Sequence, residues 1–409
     1  MSRRAAIVSP MRTPVGKFLG GLSSMNAGQL GAVILKALME RSGIDPTRVD
    51  DVVFSQGYGN GEAPAIGHWA WLAAGLPIEV PGFQLDRRCG SGVQAVATAA
   101  MMVETGMADV VVAGGVESMS NVEHYTLAAR GGVRMGDMVL HDRLSRGRVM
   151  SQPVERFGVI TGMIETAENL AKDYGITREE ADAFAVRSHQ NAARAWAENR
   201  FAEQLVPVAI PQRKGEPVIF DHDEGYRTDA SMETLGKLAP IDLKRDPQAI
   251  VTAGNASQQN DAAAACLVVA EDKLEELGLT PMLWFGGWAA AGCDPSRMGI
   301  GPVPAVERLF ARRGYSWDDI GLVEQIFERH RIEDAAVDHH PAIDLDRHED
   351  GGNRRRRGQL GGPHGGQVVP DLGAIHGRVV DVAFLATGAA HQHCSHTRLG
   401  ILGKSRCAL

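Results

Sequence analysis

Cys89 is the residue of this chain whose type and position best fit covalent chemistry. It follows the run PGFQLDRR and opens CGSGVQAVATAAMMVETG, whose apolar spacing predicts a helix that ends near Gly106. The unpaired N–H groups and the positive dipole end of a first helical turn favour a thiolate over a thiol. Gly90, Ser91 and Gly92 would let a substrate approach the backbone closely. By position alone, Cys89 is either an activated nucleophile or a buried small apolar residue.

Two histidine-rich stretches near the C-terminus have the residue types of a metal site without its spacing. HHPAIDLDRH and HQHCSH lack both the i, i+4 histidines of a helical site and a paired CxxC motif. The run ADVVVAGG lacks the GxGxxG spacing of a dinucleotide site. The sequence therefore predicts neither a metal nor a redox cofactor. Five cysteines, an odd number without CxxC spacing, fit reduced thiols in an intracellular enzyme.

Composition describes an ordinary globular protein. The chain has 409 residues, of which 44% are hydrophobic and 22% charged, enough for a large core in more than one domain. A formal net charge of -8 argues against a nucleic-acid partner. We find no apolar run that would serve as an export signal or a membrane span, so the sequence predicts a cytoplasmic protein.

The elements around Cys89 alternate between strands and helices. RAAIVSP, DDVVFSQ and ADVVVAGG read as strands, and AGQLGAVILKALMERSG reads as an amphipathic helix that ends at Gly43. This alternation predicts a mostly parallel sheet with helices on both faces. The run VERLFARRGYSWDDIGLVEQ matches LKALMERSGIDPTRVDDVVFSQ in outline, which indicates a duplicated unit.

A charged, helical region interrupts the alternation. In TREEADAFAVRSHQNAARAWAENR, Thr177 is the predicted N-cap and Glu180 completes a capping box. The alternation of strands and helices is predicted to resume at AIVTAGNAS and to continue through AAAACLVVA.

Five motifs, in the family's order, resemble those of the thiolase family. SPMRTPVGKFLGGLS is similar to the opening strand and loop, LDRRCGSGVQAV to the nucleophile motif, and AGGVESMSN to the strand and turn that follow. VTAGNASQQNDAAAA resembles the coenzyme A-binding loop, and DPSRMGIGPVPA the segment that enters the C-terminal half. The resemblance covers residues 1–324.

The resemblance implies an α/β fold, the thiolase-like five-layered αβαβα arrangement of two duplicated halves with an inserted loop domain, assembled as a homodimer or homotetramer. Residues 1–120, completed by part of 248–270, would form the N-terminal half. Residues 121–247 would form the loop domain, and 271–324 would begin the C-terminal half.

The resemblance also implies roles for individual residues. Cys89 would carry the acyl group, and coenzyme A would be a substrate rather than a cofactor. The other matched positions would bind substrate: Met163 and Met298 at the acyl pocket, Ser257 at the pantetheine arm, and Arg213 or Arg227 at the adenine and phosphate end. On the residues alone, these methionines could equally be core filler and these arginines solvated surface. Many relatives carry a histidine where this chain has Gly162, which predicts a wider or altered acyl pocket.

The chain departs from the family after GLVE. The family's catalytic Asn in NEAF, His in GHP and second Cys before a glycine run have no counterparts with the expected flanking residues. His364 and Cys394 are the nearest substitutes and receive no role. Our hypothesis is that residues 325–409 are an atypical, out-of-frame or rearranged tail, which would leave the chain without its base and oxyanion donors.

The expected function is that of an acyl-CoA C-acyltransferase in fatty acid metabolism or β-oxidation. It would cleave 3-ketoacyl-CoA thiolytically, or run the reverse Claisen condensation, through acyl-Cys89. Two alternatives stay open: a relative that acts on larger acyl chains, and a catalytically impaired subunit that binds acyl-CoA or a partner chain.

Overall fold

The computed structural model describes residues 3–320 and the backbone of three later strands. In chain order the strands are β1 (Ala5–Arg12), β2 (Gly16–Lys17), β3 (Asp51–Ser55), β4 (Gly82–Leu85), β5 (Val110–Ser118), β6 (His124–Tyr125), β7 (His141–Asp142), β8 (Val208–Ile210), β9 (Val218–Phe220), β10 (Asn260–Ala270), β11 (Leu283–Gly292), β12 (Leu322–Gln325), β13 (Glu328–Arg331) and β14 (Asp381–Gly388). The α-helices are α1 (Ala27–Ser42), α2 (Ile66–Ala73), α3 (Ser91–Glu104), α4 (Arg143–Val149), α5 (Val154–Phe157), α6 (Met163–Tyr174), α7 (Arg178–Ala197), α8 (Met232–Gly236) and α9 (Pro302–Arg313).

The main sheet is mixed rather than mostly parallel. Its strand order is β14-β11-β1-β10-β5-β3-β4, with β2 beside β10. Strands β4, β3 and β5 run parallel to one another, as do β11 and β14, whereas β10 is antiparallel to both β5 and β1. The prediction of a mostly parallel sheet was therefore wrong. Parallel neighbours need a crossover connection, but β10 follows the long excursion of residues 119–259 and can enter in either direction.

Helices cover both faces of the sheet, as predicted. Successive side chains of a strand point to opposite faces, so each strand contributes to two cores. On one face Ala6, Val52 and Leu267 pack with α1 and α2. On the other face Ile7 and Val268 pack with α3. Each large apolar side chain fully buried in this way contributes about 1.5–3 kcal/mol, which makes the two cores the main source of stability.

Helix α1 begins and ends as the sequence predicts. Asn26 and Gln29 form a reciprocal capping box at its start. Gly43 ends it in the left-handed conformation, with φ of 71°, which glycine adopts without steric cost.

A buried ion pair connects the inserted region to the sheet. Its helix α7 has the predicted capping box, in which the Thr177 side chain accepts a hydrogen bond from the backbone of Glu180. Both terminal guanidinium nitrogens of Arg12, on β1, donate to the Asp223 carboxylate, at 2.7 and 2.9 Å.

The run AIVTAGNAS was predicted to resume the regular alternation of strands and helices. It instead forms an irregular loop, and the next strand starts at Asn260.

The predicted second half contributes strands to this same sheet. Strand β11 pairs with β1 and β14, and α9 packs against β11. The side chains of the tail, including His364 and Cys394, lie outside the described residues.

Candidate active site

Cys89 lies in a 3-10 turn, Arg88–Gly90, that joins β4 to α3. It forms no disulfide with another cysteine of the described residues and is half-buried. The structure therefore places this thiol directly before the first turn of α3, where the backbone N–H groups of a helix point toward the approaching chain. Such a location suits a nucleophile, because the positive end of the helix lies toward the thiol.

The turn that carries Cys89 holds a strained residue. Arg88 has φ of 49°, in the left-handed region that is uncommon for residues other than glycine. Two hydrogen bonds to Asp86 hold Arg88 in place. Oδ1 of Asp86 accepts from the Arg88 backbone N–H at 2.7 Å, and Oδ2 accepts from the Arg88 guanidinium at 2.9 Å. The Ser91 hydroxyl accepts from the backbone N–H of Arg87 at 2.7 Å. Strain of this kind, of order 1–3 kcal/mol, persists only where surrounding contacts determine it.

A buried carboxylate lies behind this turn. Glu117, near the end of β5, is 8% exposed and accepts hydrogen bonds from the backbone N–H groups of Gly57 at 2.8 Å and Tyr58 at 3.3 Å. Burial raises the pKa of the Glu117 carboxyl to about 7, although both amides and Arg88 lower it. Asp86 raises it further. The guanidinium of Arg88 in turn donates to the carbonyl oxygen of Gly57.

A cavity of about 780 Å³ opens beside the nucleophile turn. Its lining includes Tyr58, Gln84, Asp86 and Arg88. Arg88 directly precedes Cys89, which is not itself among the residues that line this cavity.

Met163 begins α6, directly after Gly162, which lies near the side chain of Arg148. The pKa of the Tyr58 hydroxyl is raised by burial, and a side-chain hydrogen bond with Arg148 opposes that rise. Gly162, just before Met163, has φ of 117°, and a Cβ atom built there would lie 3.1 Å from Cδ of Arg148. Arg148 therefore borders the space that a side chain at position 162 would take. The wider or altered acyl pocket that Gly162 implies stays a prediction.

Met298 lies on a 3-10 segment, Pro295–Ile300, that packs against α6. The backbone N–H of Gly299 donates to the Thr166 hydroxyl at 3.3 Å, and the Asn169 amide donates to the carbonyl of Ser296 at 2.9 Å. The structure thus brings together the two segments that carry Met163 and Met298.

Ser257 and Arg227 lie in neighbouring segments that His189 joins. Nδ1 of His189 accepts from the backbone N–H of Arg227 at 3.1 Å, and Nε2 lies 3.4 Å from the carbonyl oxygen of Gly254. Burial lowers the pKa of His189. The Gln258 amide adds a 2.9 Å bond to the carbonyl of Glu224. Ser257 and the Arg227 side chain are exposed and so accessible to a ligand.

Two buried carboxylates hold the loop that carries Ser257. Glu168 of α6 accepts from the backbone N–H groups of Ile250 and Val251. Asp182 of α7, 2% exposed, accepts from the Asn255 amide at 2.9 Å. The inserted helices therefore fix the conformation of this loop.

Arg213 lies apart from these residues. It is exposed in the turn between β8 and β9. Within residues 3–320, no hydrogen bond or ion pair joins its side chain to the segments of Ser257 or Arg227.

The described residues contain no group of three His, Cys, Asp or Glu residues placed to hold a metal ion. Among their helices, none is long and apolar enough to cross a membrane.

Sequence reasoning did not single out Glu117, Arg148, Glu168, Asp182 or His189. One signal was present for Glu117, because VVVAGGVES places an acidic residue at the end of an otherwise buried apolar strand. The partners that tie these five residues to the loops described above lie far along the chain, so spacing alone gave no indication of their roles.

Known proteins similar to this chain are acyltransferases. The family described as "Thiolase, N-terminal domain" matches residues 5–272. An acetyl-CoA acetyltransferase of Chromobacterium violaceum is 44% identical over 322 residues, covering 78% of this chain and 79% of that protein. A probable acetyl-CoA acyltransferase of Staphylococcus aureus is 40% identical over 342 residues, covering 82% and 83%.

Solved structures agree with these sequence matches. The crystal structure of the Bacillus anthracis acetyl-CoA acetyltransferase superimposes with a TM-score of 0.73 at 37% identity, covering 78% of this chain and 79% of that one. This match confirms the thiolase-like α/β fold. The comparisons give no support to impaired activity or to the binding-only alternative.

Proposed function

The chain belongs to the thiolase family and is an acyltransferase, and on that premise we propose that it transfers acyl groups between coenzyme A thioesters through acyl-Cys89. The single observation that carries the proposal is the position of Cys89. Its thiol lies directly before α3, in a turn that Asp86 and Ser91 hold and whose residue Arg88 lines a cavity of about 780 Å³.

The proposed chemistry has two half-reactions that share one intermediate. In the degradative direction, Sγ of Cys89 adds to the keto carbon of a 3-ketoacyl-CoA. The C2–C3 bond then breaks and acetyl-CoA leaves after protonation of its α-carbon. The thiol of a second coenzyme A takes the acyl group from Cys89 and gives up its proton. In the condensing direction, acetyl-CoA acylates Cys89 with release of coenzyme A. The enolate formed by loss of an α-proton from a second acetyl-CoA then attacks the acyl carbon, and the bond between that carbon and Sγ breaks to free the Cys89 thiolate.

Substrate binding is proposed for the remaining matched residues. Met163 and Met298 would line the acyl pocket, and the packing of their two segments supports this. Ser257 would contact the pantetheine arm, and Arg227 the phosphates, which is supported by their accessibility and by the His189 bridge. Arg213 would have to reach the adenine and phosphate end of coenzyme A from the turn between β8 and β9.

The domain boundaries inferred from the sequence are retained as proposals. The first half would span residues 1–120 with part of 248–270, supported by the single sheet that β1, β5 and β10 share. The loop domain would be 121–247, and 271–324 would begin the second half. Whether residues 325–409 are an out-of-frame tail can be tested by resequencing the locus around codon 325.

The oligomeric state and cellular context are also proposals. Within the described strands β4 has a neighbour on one side only, and such an edge is a ready pairing surface for a second chain. We propose a homodimer or homotetramer in the cytoplasm that serves fatty acid metabolism, including β-oxidation.

Acetylation of Cys89 tests the proposal directly. Purified protein incubated with acetyl-CoA should gain one acetyl group, and peptide mapping should place it on Cys89. A Cys89→Ala variant should gain none, whereas Cys293→Ala, which removes another half-buried thiol, should be acetylated like the wild type. Failure of wild-type protein to acquire the group, or its appearance on another residue, would refute the assignment.

A further inference from the structure

We propose that Glu117 is a positioning residue that holds the Cys89 turn in its reactive geometry without touching substrate. The inference rests on the proposed function, since it takes Cys89 as the nucleophile. Glu117 acts through the backbone at residues 57 and 58 and then through Arg88. The pairing of β3 with β5 explains the arrangement, because Ser55 lies opposite Gly115 and the chain leaving β3 passes the end of β5.

The first link joins Glu117 to the loop after β3. Its carboxylate accepts the consecutive backbone N–H groups of Gly57 and Tyr58. One oxygen of Glu117, Oε2, accepts both N–H groups, and two bonds to consecutive residues fix the position and the orientation of this short segment.

The second link joins that loop to the nucleophile turn. Gly57 lies between Glu117 and Arg88. A Cβ atom added to Gly57 would stand 3.1 Å from Oε2 of Glu117 and 4.0 Å from Cα of Arg88. On the other side of the same peptide group, the Gly57 carbonyl accepts from the Arg88 guanidinium. A side chain at position 57 would therefore crowd the Glu117 carboxylate and require it to shift.

The third link is covalent. Arg88 directly precedes Cys89 and has the left-handed backbone conformation, with φ of 49°. A relaxation of Arg88 toward an ordinary conformation would rotate the peptide bond that leads into Cys89 and move its thiol. The contacts from Asp86 and Gly57 oppose that relaxation, so the loop fixed by Glu117 contributes to the placement of the nucleophile.

Charged and titratable groups surround Glu117 on several elements. Asp86 and Arg88 face it from the nucleophile turn, and Tyr58 faces it from the loop after β3. Arg148 of α4 contacts the Tyr58 hydroxyl. The positioning role needs hydrogen-bond acceptors rather than the negative charge, so a glutamine at position 117 should largely replace the glutamate.

The test measures how fast the Cys89 thiol reacts in folded variants. Rates of acetylation by acetyl-CoA and of alkylation by iodoacetamide are followed at Cys89 by peptide mass analysis. In Glu117→Ala both rates should fall about ten-fold or more, since small displacements of reacting groups have effects of this size. Glu117→Gln should stay within about three-fold of wild type, a rescue that general destabilisation does not predict.

A matched control lies at the other end of β5. Asp50 also accepts two consecutive backbone N–H groups, those of Asp109 and Val110, but it lies far along the strand from Cys89. Asp50→Ala should leave both Cys89 rates within about two-fold of wild type, because it removes the same kind of contact elsewhere.

The outcomes separate this inference from the proposed function. If wild-type Cys89 is not acetylated, the proposed function fails, while the alkylation rates still compare the variants. The inference is overturned if Glu117→Ala leaves both rates within two-fold of wild type, or if Glu117→Gln is as slow as Glu117→Ala. Should Glu117→Ala not fold, Gly57→Ala tests the same contact from the loop side: slowed reaction of Cys89 supports the inference and an unchanged rate overturns it.

Discussion

The carboxylate of Asp182 accepts a hydrogen bond from the Asn255 amide at 2.9 Å, so a helix of the inserted region holds the loop that carries Ser257. Asn255 uses its other amide atoms on its own loop, accepting from the backbone of Thr252 and donating to Ile250. The second oxygen of Asp182 bonds Arg178 at 2.7 Å. A side chain of the inserted region therefore holds the loop that is proposed to bind coenzyme A.

Replacing Asp182 by alanine should weaken coenzyme A binding more than chemistry. Its loss frees Asn255 and leaves the loop of Ser257 less ordered, so KM for coenzyme A should rise about ten-fold while kcat changes by less than about three-fold. The free energy of unfolding should fall by about 2 kcal/mol, as for a lost hydrogen bond to a charged group. Steady-state kinetics and urea unfolding measure both. Glu179→Ala, an exposed change on the same helix, is the control, and equal effects in the two variants would contradict the prediction.

Coenzyme A binding should weaken as the pH falls, because of His189. Burial lowers the pKa of His189 below the ordinary 6.5, so the folded protein favours the neutral ring. The stabilisation that the neutral His189 ring gives to the folded protein is present above pH 6.5. It is lost as the pH falls through the lowered pKa. Protonation turns Nδ1 into a donor, and it can then no longer accept from the Arg227 backbone.

Calorimetric titration of coenzyme A between pH 5 and 8 checks this expectation. The rise in Kd on acidification should be smaller in His189→Gln than in wild type. His124→Gln removes an exposed histidine and should keep the wild-type profile. A profile in His189→Gln that matches wild type would exclude His189 as the responsible group.

Breaking the Arg12–Asp223 pair should be the most destabilising of these changes. Both side chains are 4% exposed, and Asp223 also accepts from the backbone of Val15 and from the Trp196 indole. Asp223→Ala leaves a buried guanidinium without its partner, so the free energy of unfolding should fall by about 3–5 kcal/mol.

A surface pair provides the comparison for this prediction. Lys237 and Glu233 form an exposed i, i+4 ion pair at 2.7 Å. Glu233→Ala should change the free energy of unfolding by no more than about 0.5 kcal/mol. Urea unfolding measures both variants, and similar values would show that burial of the Arg12 pair has no special energetic consequence.

Glu117→Gln should stabilise the protein at alkaline pH although it does not improve catalysis. Burial raises the pKa of Glu117 from 4.5 to about 7, so folding favours the protonated acid. Wild-type stability from this group is complete below 4.5 and declines as the pH rises to about 7. Glutamine stays neutral, so at pH 8 the variant should gain up to about 3 kcal/mol over wild type, and near pH 4 the difference should vanish.

Thermal and urea unfolding of wild type and Glu117→Gln at pH 4, 6 and 8 measure this difference in stability. Glu62→Gln, at an exposed carboxylate, should show no such trend with pH. A Glu117→Gln variant that is less stable than wild type at pH 8 would show that the charge itself holds the loop, contrary to the acceptor role proposed above.

Local features of the chain were predictable because their causes are local. Thr177 and Glu180 form the predicted capping box, and α1 ends at the predicted Gly43. The helix that follows Cys89 also lies where the apolar spacing placed it. Each of these depends on contacts within a few residues, so the order of residue types is sufficient. The direction of β10 was not predictable in this way, because it depends on where a long excursion re-enters the sheet.

The sequence by itself determined the family and the nucleophile candidate: Cys89 before a helix, within motifs in the thiolase order. Only the tertiary structure decided which polar groups hold the Cys89 turn and the loop of Ser257. Glu117 meets Gly57 across 60 positions, and Asp182 meets Asn255 across 73. Such contacts form only after strands and helices have packed, since hydrophobic patterning selects which face is buried but not which polar groups come to lie opposite one another.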